Sequence, residues 1–228
     1  MRKEAYQIGA RRGLSTFDLK CIAVFSMLVD HIGAFLNPSE LWMRYVGRLA
    51  FPIYCFLIVE GYFHTHDVRK YMGRLFLFAL LSEIPYDLAR YDTALYPDSQ
   101  NVYFTLFFGL LCVYAFAELK HIFLTGGVLI TVGVLTYFVV KPDYDIGGIA
   151  MILCFYLFRS CPWERFLSVG AINICYEGDI QAAAILALIP VHLYNGKKGP
   201  SVKYFFYAFY PVHLFALYLI RRYLFNVN

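Results

Sequence analysis

The sequence predicts an all-α fold, a polytopic transmembrane helix bundle of about nine spans within a range of eight to ten. Composition is the first observation behind this. Of 228 residues, 60% are hydrophobic and 19% aromatic, but 16% are charged. Soluble domains carry about 25% charged residues. A core of this size does not need so much apolar surface, so a bilayer solvent accounts for it more simply. The second observation is segmentation. Apolar residues fall in runs at roughly 17–36, 49–64, 73–90, 102–118, 121–140, 146–159, 166–176, 180–194 and 204–224. The third is the charge of the loops between them. With the N-terminus in the cytoplasm, fourteen of the 20 Lys and Arg fall on inside segments and six outside, as the positive-inside rule requires.

Runs near 20 residues match the ~30 Å hydrocarbon core as helices. The sixth, seventh and eighth are short and read as half-helices, tilted neighbours or a re-entrant segment. A closed β-barrel would alternate apolar and polar residues, and "GGVLITVGVLTYFVV" does not. The outside loops are acidic, with Asp92, Asp98, Asp143, Asp145, Glu177 and Asp179, and only Arg221 and Arg222 run against the charge rule. No internal repeat is visible, so 1–228 reads as a single domain with 1–16 as a cytoplasmic N-terminal arm. The basic start resembles that of a signal peptide, but no small-residue cleavage site follows the first run, which reads as a retained anchor. The expected location is the cell membrane, multi-pass. The net charge of +4 is small and its cations are scattered between apolar runs, so nucleic acid is not an expected partner. The six cysteines form no CxxC pair and read as small buried apolar residues. His64 and His66 lie in a loop and make a weak metal signal, and no metal is expected.

Ionisable residues inside spans are rare and suggest function. The first run, "LKCIAVFSMLVDHIGAFL", holds Lys20, Asp30 and His31. Lys20 and His31 are eleven residues apart, about 20° past three full turns and about 16 Å along the axis, so they share one face. That places a cation at the inner mouth and a titratable base deeper in, which suits an anionic ligand entering from the cytoplasm. Asp30 points about 100° away, so the adjacent Asp and His are not a dyad within this helix. Asp30 is expected to pair with another helix, with Arg48 the first choice. Glu60, near the inner end of the second run, is expected to meet the basic second loop. In "HTHDVRKYMGRLFLFALLSEIPYD", Arg69, Lys70 and Arg74 cluster at the cytoplasmic helix start. The cluster reads either as a topology signal or as a phosphate site, since both residue types suit phosphate. Glu83 precedes Pro85, whose missing N–H frees a carbonyl. In "YFFYAFYPVHLFALYLI", Tyr210 and His213 flank Pro211, and His213 is expected in the same interior as His31. Glu83, Tyr210 and His213 are grouped with a substrate pocket.

At these residues the chain resembles the TraX family of membrane proteins, named for the protein that acetylates the N-terminus of F-type conjugative pilin. The first-helix Lys…Asp-His block, "GRLAFPIYCFLIVEG", "NVYFTLFFG", "YDIGGIAMIL" and "FYPVHLFAL" occur in the family's order over nearly the whole chain. The interval from Lys20 to His31 also resembles the acyltransferase type 3 superfamily and the related heparan glucosaminide N-acetyltransferases. Two features differ from the type 3 pattern, which has ten spans and an Arg-x-x-Arg where this chain has "RKYMGR".

The resemblance implies acetyl-CoA as donor, His31 as the catalytic base with Lys20 and Asp30 beside it, and a substrate and oxyanion pocket at Arg48, Asn101, Tyr210 and His213. It implies Arg69, Lys70 and Arg74 for the CoA phosphates. The expected activity is that of a membrane-bound, acyl-CoA-dependent N- or O-acetyltransferase. It would move an acetyl group to an amine or hydroxyl acceptor on a protein N-terminus, a glycan or a small molecule. Two other classes compete with it. A proton-coupled transporter would use His31 and the intramembrane carboxylates, and an assembly protein would use its polar residues only as ion pairs.

Overall fold

A computed structural model describes residues 13–176 and 179–224. Arg2, Lys3, Arg11, Arg12 and Glu177, used above for topology, lie outside the described residues. Among those described, every regular element is helical, and the contiguous helices group into nine rods, α2 and α3 counting as one. The first is α1 (Thr16–Phe35), followed by a short α2 (Leu41–Gly47) and then α3 (Ala50–His64), α4 (Val68–Tyr91) and α5 (Val102–Glu118). Next comes α6 (Ile122–Val134), which continues into a π-helical turn, Leu135–Val140. It is followed by α7 (Asp145–Leu157) and α8 (Pro162–Tyr176). The eighth rod is broken: α9 (Asp179–Ala182) passes through a 3₁₀ turn, Ala183–Ala187, into α10 (Leu188–His192). The last is α11 (Lys203–Leu224).

Local chemistry starts these rods. Ser15 and Asp18 form a reciprocal capping box on α1, satisfying N–H groups that the first turn leaves orphaned. Asp67 caps α4 through the Lys70 N–H, a bond that holds its carboxyl below the usual range. Asn101 caps α5 through the Tyr103 N–H. Pro85 and Pro211 lie inside α4 and α11 without ending either helix. Pro211 removes the N–H that would bond the Tyr207 carbonyl, and the Tyr103 hydroxyl donates to that carbonyl instead, at 3.0 Å.

Polar contacts tie each end. At the end holding Lys20, Arg159 grips Glu60 at 2.8 and 3.3 Å, and Tyr62 donates to Glu118 at 2.8 Å. Glu60 is therefore paired chiefly with the segment after α7, and it also lies 3.7 Å from His64, the last residue of α3 rather than a loop residue. At the opposite end, Lys141 meets Asp98 at 2.7 Å, a hydrogen bond that raises the Lys141 pKa. Arg221 meets Asp92 at 2.5 Å and Arg222 meets the Tyr218 hydroxyl. The two arginines that ran against the charge rule thus sit at the acidic end, one of them directly on an acid.

The outer surface is apolar. Ile122, Phe123, Ile130 and Phe138 on the fifth rod are all more than two-thirds exposed, far from the polar surface a soluble chain would show. Among the described residues, two segments are long and apolar enough by themselves to cross a bilayer, Leu41–His64 and Ile122–Val140. The α1 helix is long enough but carries Asp18, Lys20 and Asp30 within one stretch. Cys55 and Cys112 are buried, but Cys21, Cys161 and Cys175 are exposed, which corrects the expectation of burial. Cys21 shares an outward stripe with Phe25, four residues on and 64% exposed, so apolar residues here face out as well as in.

Candidate active site

Two cavities lie end to end inside the bundle, and α1, α3, α4, α5 and α11 line both from opposite halves. The larger, about 410 Å³, is at the Lys20 end. Lys20, Arg74 and Lys198 supply its cations, and Leu57, Ile58, Leu75 and Leu106 its apolar wall. The Lys20 ammonium sits over the Phe206 ring, 5.3 Å from its centroid. The smaller, about 180 Å³, is at the other end and is rich in charge, with Asp30, His31, Arg44, Arg48, Arg90 and Asp143 in its wall beside Tyr86, Tyr144 and Tyr210.

His31 is the base most firmly oriented in this smaller cavity. Its Nδ1 lies 2.6 Å from His213 Nε2, and His213 Nδ1 lies 2.7 Å from the Phe209 carbonyl. A carbonyl only accepts, so in the neutral pair His213 carries its proton on Nδ1 and presents a lone pair on Nε2. His31 then donates from Nδ1, and its Nε2 is left as an acceptor. The two rings are nearly parallel, at 12°, and Phe35 stacks on His31. Sequence spacing alone gave no hint that a second imidazole fixes the tautomer of the first.

Ion pairs frame the rest. Arg44 bonds Asp30, at 2.7 Å to the carboxylate and 3.2 Å to the Asp30 carbonyl, and Arg48, the partner chosen from sequence, stands in the same cavity wall. Asp30 rests against Gly47, where an added Cβ would collide with its carboxylate. Arg48 donates to the Tyr144 hydroxyl and to the Gln181 side-chain Oε1, both at 3.4 Å. The Tyr144 ring stacks flat on Phe51 at 3.5 Å. Lys141 and Asp145, both with positive φ, bracket Asp143 and Tyr144, an uncommon backbone state for residues with a Cβ. Gly148 is required here, because a Cβ on it would meet Thr105, Phe51 and Tyr144.

The remaining expected site residues divide. Arg48 and Tyr210 line the small cavity with His31 and Asp30, and Lys20 and Arg74 line the large one. Arg69 and Lys70 line neither. Both are exposed, and Lys70 sits 3.7 Å from Asp67. Asn101 is wholly buried, with its amide donating to the Ala79 carbonyl and, at 2.6 Å, to Glu83. Its oxygen accepts from Tyr103 N–H, so Asn101 and Glu83 form a helix-end clamp outside both cavities. His213 also lines neither cavity and acts on His31 from behind. Arg44, Tyr54, Tyr86, Asp143 and Tyr144 were missed. Arg44 had a signal, since it stands four residues before Arg48 and so on the same stripe. The tyrosines had none in a chain with 20 of them.

Comparison with known proteins fits this arrangement. The TraX protein family matches residues 15–221, from the α1 cap to the end of α11. The chain belongs to the TraX family. This TraX-family chain is 28% identical over 230 residues to a probable fimbrial assembly protein, FimC of serogroup H1, from Dichelobacter nodosus, covering 89% of this chain and 94% of that one. It is 24% identical over 180 residues to an uncharacterized protein of Rickettsia prowazekii (strain Madrid E), covering 78% and 68%. No solved structure matches. Membership of TraX, a membrane-associated family, agrees with the apolar outer surface.

Proposed function

We propose that this protein is an integral membrane acetyltransferase that takes acetyl-CoA from the cytoplasm and acetylates an amine or hydroxyl at the opposite face. All nine rods then span the membrane, with the start of α1 cytoplasmic. The observation that carries the reading is the Phe209–His213–His31 relay, which leaves one His31 nitrogen as a proton acceptor in a cavity facing away from the Lys20 end. The donor's phosphates meet Lys20, Arg74 and Lys198, with Arg69 and Lys70 set aside, and its pantetheine arm follows the apolar wall of the large cavity. His31 Nε2 takes the proton from the acceptor as nitrogen or oxygen attacks the thioester carbonyl. Arg48 and Tyr210 donate to the oxyanion. Collapse breaks the C–S bond, and the CoA thiolate takes the proton from His31. The His213 lone pair stabilises the imidazolium between these steps, while Asp30 holds Arg44 and shapes the cavity. The acceptor we favour is the N-terminal amine of a fimbrial or pilin-type subunit, which the family resemblance and the fimbrial relative both support.

The test uses purified protein, host membranes and radiolabelled acetyl-CoA. One labelled species is expected, and His31→Ala should lower its formation about 10³-fold with an unchanged melting temperature in detergent. Wild-type turnover by that variant would falsify the role of His31. The competing reading, a proton-coupled carrier, draws on the same end-to-end cavities. A carrier would show no thermal shift with CoA.

A further inference from the structure

We propose that Tyr54 is the partition that limits this enzyme to short acyl groups, an inference that rests on the acyl-CoA reading above. Among the described residues, Tyr54 alone lines both cavities. Its place on α3 explains this. Ala50 and Phe51, one turn before it, line the small cavity, and Leu57, Ile58 and Gly61, the next two turns, line the large one. Two further tyrosines complete the division. Tyr103 belongs to the large cavity and Tyr210 to the small one, and their rings meet edge to face at 5.3 Å. Both are fixed, Tyr103 by its bond to the Tyr207 carbonyl and Tyr210 by burial against the rings of His31 and His213. The Tyr54 hydroxyl has no hydrogen-bond partner among the described residues, so its ring is held at the junction by packing.

A thioester entering from the Lys20 end must bring its carbonyl past Tyr54 to reach His31. Beyond that point the acyl group shares about 180 Å³ with the acceptor. Three arginines and two carboxylates interrupt its apolar lining, so a methylene chain finds less apolar surface there than in the cavity it leaves. An acetyl group fits this space. A longer chain would need to fold back into the apolar cavity, and the Tyr54 ring blocks that return.

The experiment compares acetyl-, butyryl- and octanoyl-CoA as donors, with host membranes as the acceptor source and CoA release as readout. Wild type should favour acetyl over octanoyl at least 100-fold in kcat/KM. Tyr54→Ala should raise the octanoyl-to-acetyl ratio at least tenfold, and Tyr54→Phe should leave it within twofold, since the barrier is the ring. If Tyr54→Ala does not fold, Tyr54→Leu carries the same expectation. Equal use of octanoyl- and acetyl-CoA by wild type overturns the proposal without any variant. So does an unchanged ratio in a folded Ala or Leu variant, or a Phe variant that shifts like Ala. Those results leave the acetyltransferase reading standing, whereas wild type that neither releases CoA nor shows a thermal shift with it overturns both.

Discussion

The cavity at the Lys20 end is wide and apolar, with cations at its rim, whereas the one at the Arg44 end is less than half its volume and has two ion pairs, Arg44–Asp30 and Arg90–Asp143, set in its wall. An apolar wall with cations at its rim tolerates a flexible, anionic guest. A wall of ion pairs around an oriented imidazole tolerates little change, because each group is positioned by its neighbour. The difference teaches where substitutions will be felt. The same residue type should matter more at the Arg44 end, and through stability as well as rate.

The largest expected effect is on that end. Arg44→Met strands the Asp30 carboxylate and should destabilise the protein by about 3 kcal/mol, and pairing it with Asp30→Asn should recover more than half of the loss, read by melting in detergent. His213→Phe comes next. It keeps a ring behind His31 but removes the lone pair that fixes its tautomer. The expected result is a roughly 100-fold drop in kcat with KM for acetyl-CoA within threefold. A matched rise in KM would mean that His213 serves binding. At the Lys20 end the effect is smaller: Arg74→Ala should raise KM for acetyl-CoA about tenfold, worth about 1.4 kcal/mol, with kcat unchanged. Lys70→Ala should change neither by more than twofold, and equal effects would erase the distinction drawn between the two cations. Smallest is Gly126→Ala, outside both cavities, where an added Cβ meets nothing within 4 Å. Relief of the glycine helix penalty should stabilise by about 0.5 kcal/mol, whereas Gly47→Ala, beneath Asp30, should destabilise by about 2 kcal/mol.

How legible this was in the sequence depends on range. The rods were readable because an apolar run announces itself locally: α1, α5 and α11 begin and end within a residue or two of the runs. The α2 helix was not, since its seven residues, "LWMRYVG", carry no apolar period of their own and are held by packing on α1. The Lys20–His31 face was readable from helix geometry, because both residues lie on one rod. Partners on different rods were not. Asp30 needs a guanidinium, but whether Arg44 or Arg48 supplies it depends on how α2 is turned. Asn101 shows the same limit: a buried amide before an apolar run fits a pocket or a cap, and only its three bonds decide for the cap. His213 was placed near His31 from the Pro211 irregularity, yet the 2.6 Å bond between them, 182 residues apart in sequence, has no local signature.

One pairing has a consequence for inheritance. The proline at 211 leaves the Tyr207 carbonyl short of a donor, and the hydroxyl at 103 supplies it. These positions are 108 apart in the chain but form a single unit of variation. A relative that replaces Pro211 with an ordinary residue restores the helical N–H and is free to carry Phe at 103. One that keeps the proline should keep a hydroxyl there. Covariation between the two columns, with tyrosine following proline, is the trace this bond should leave across the family.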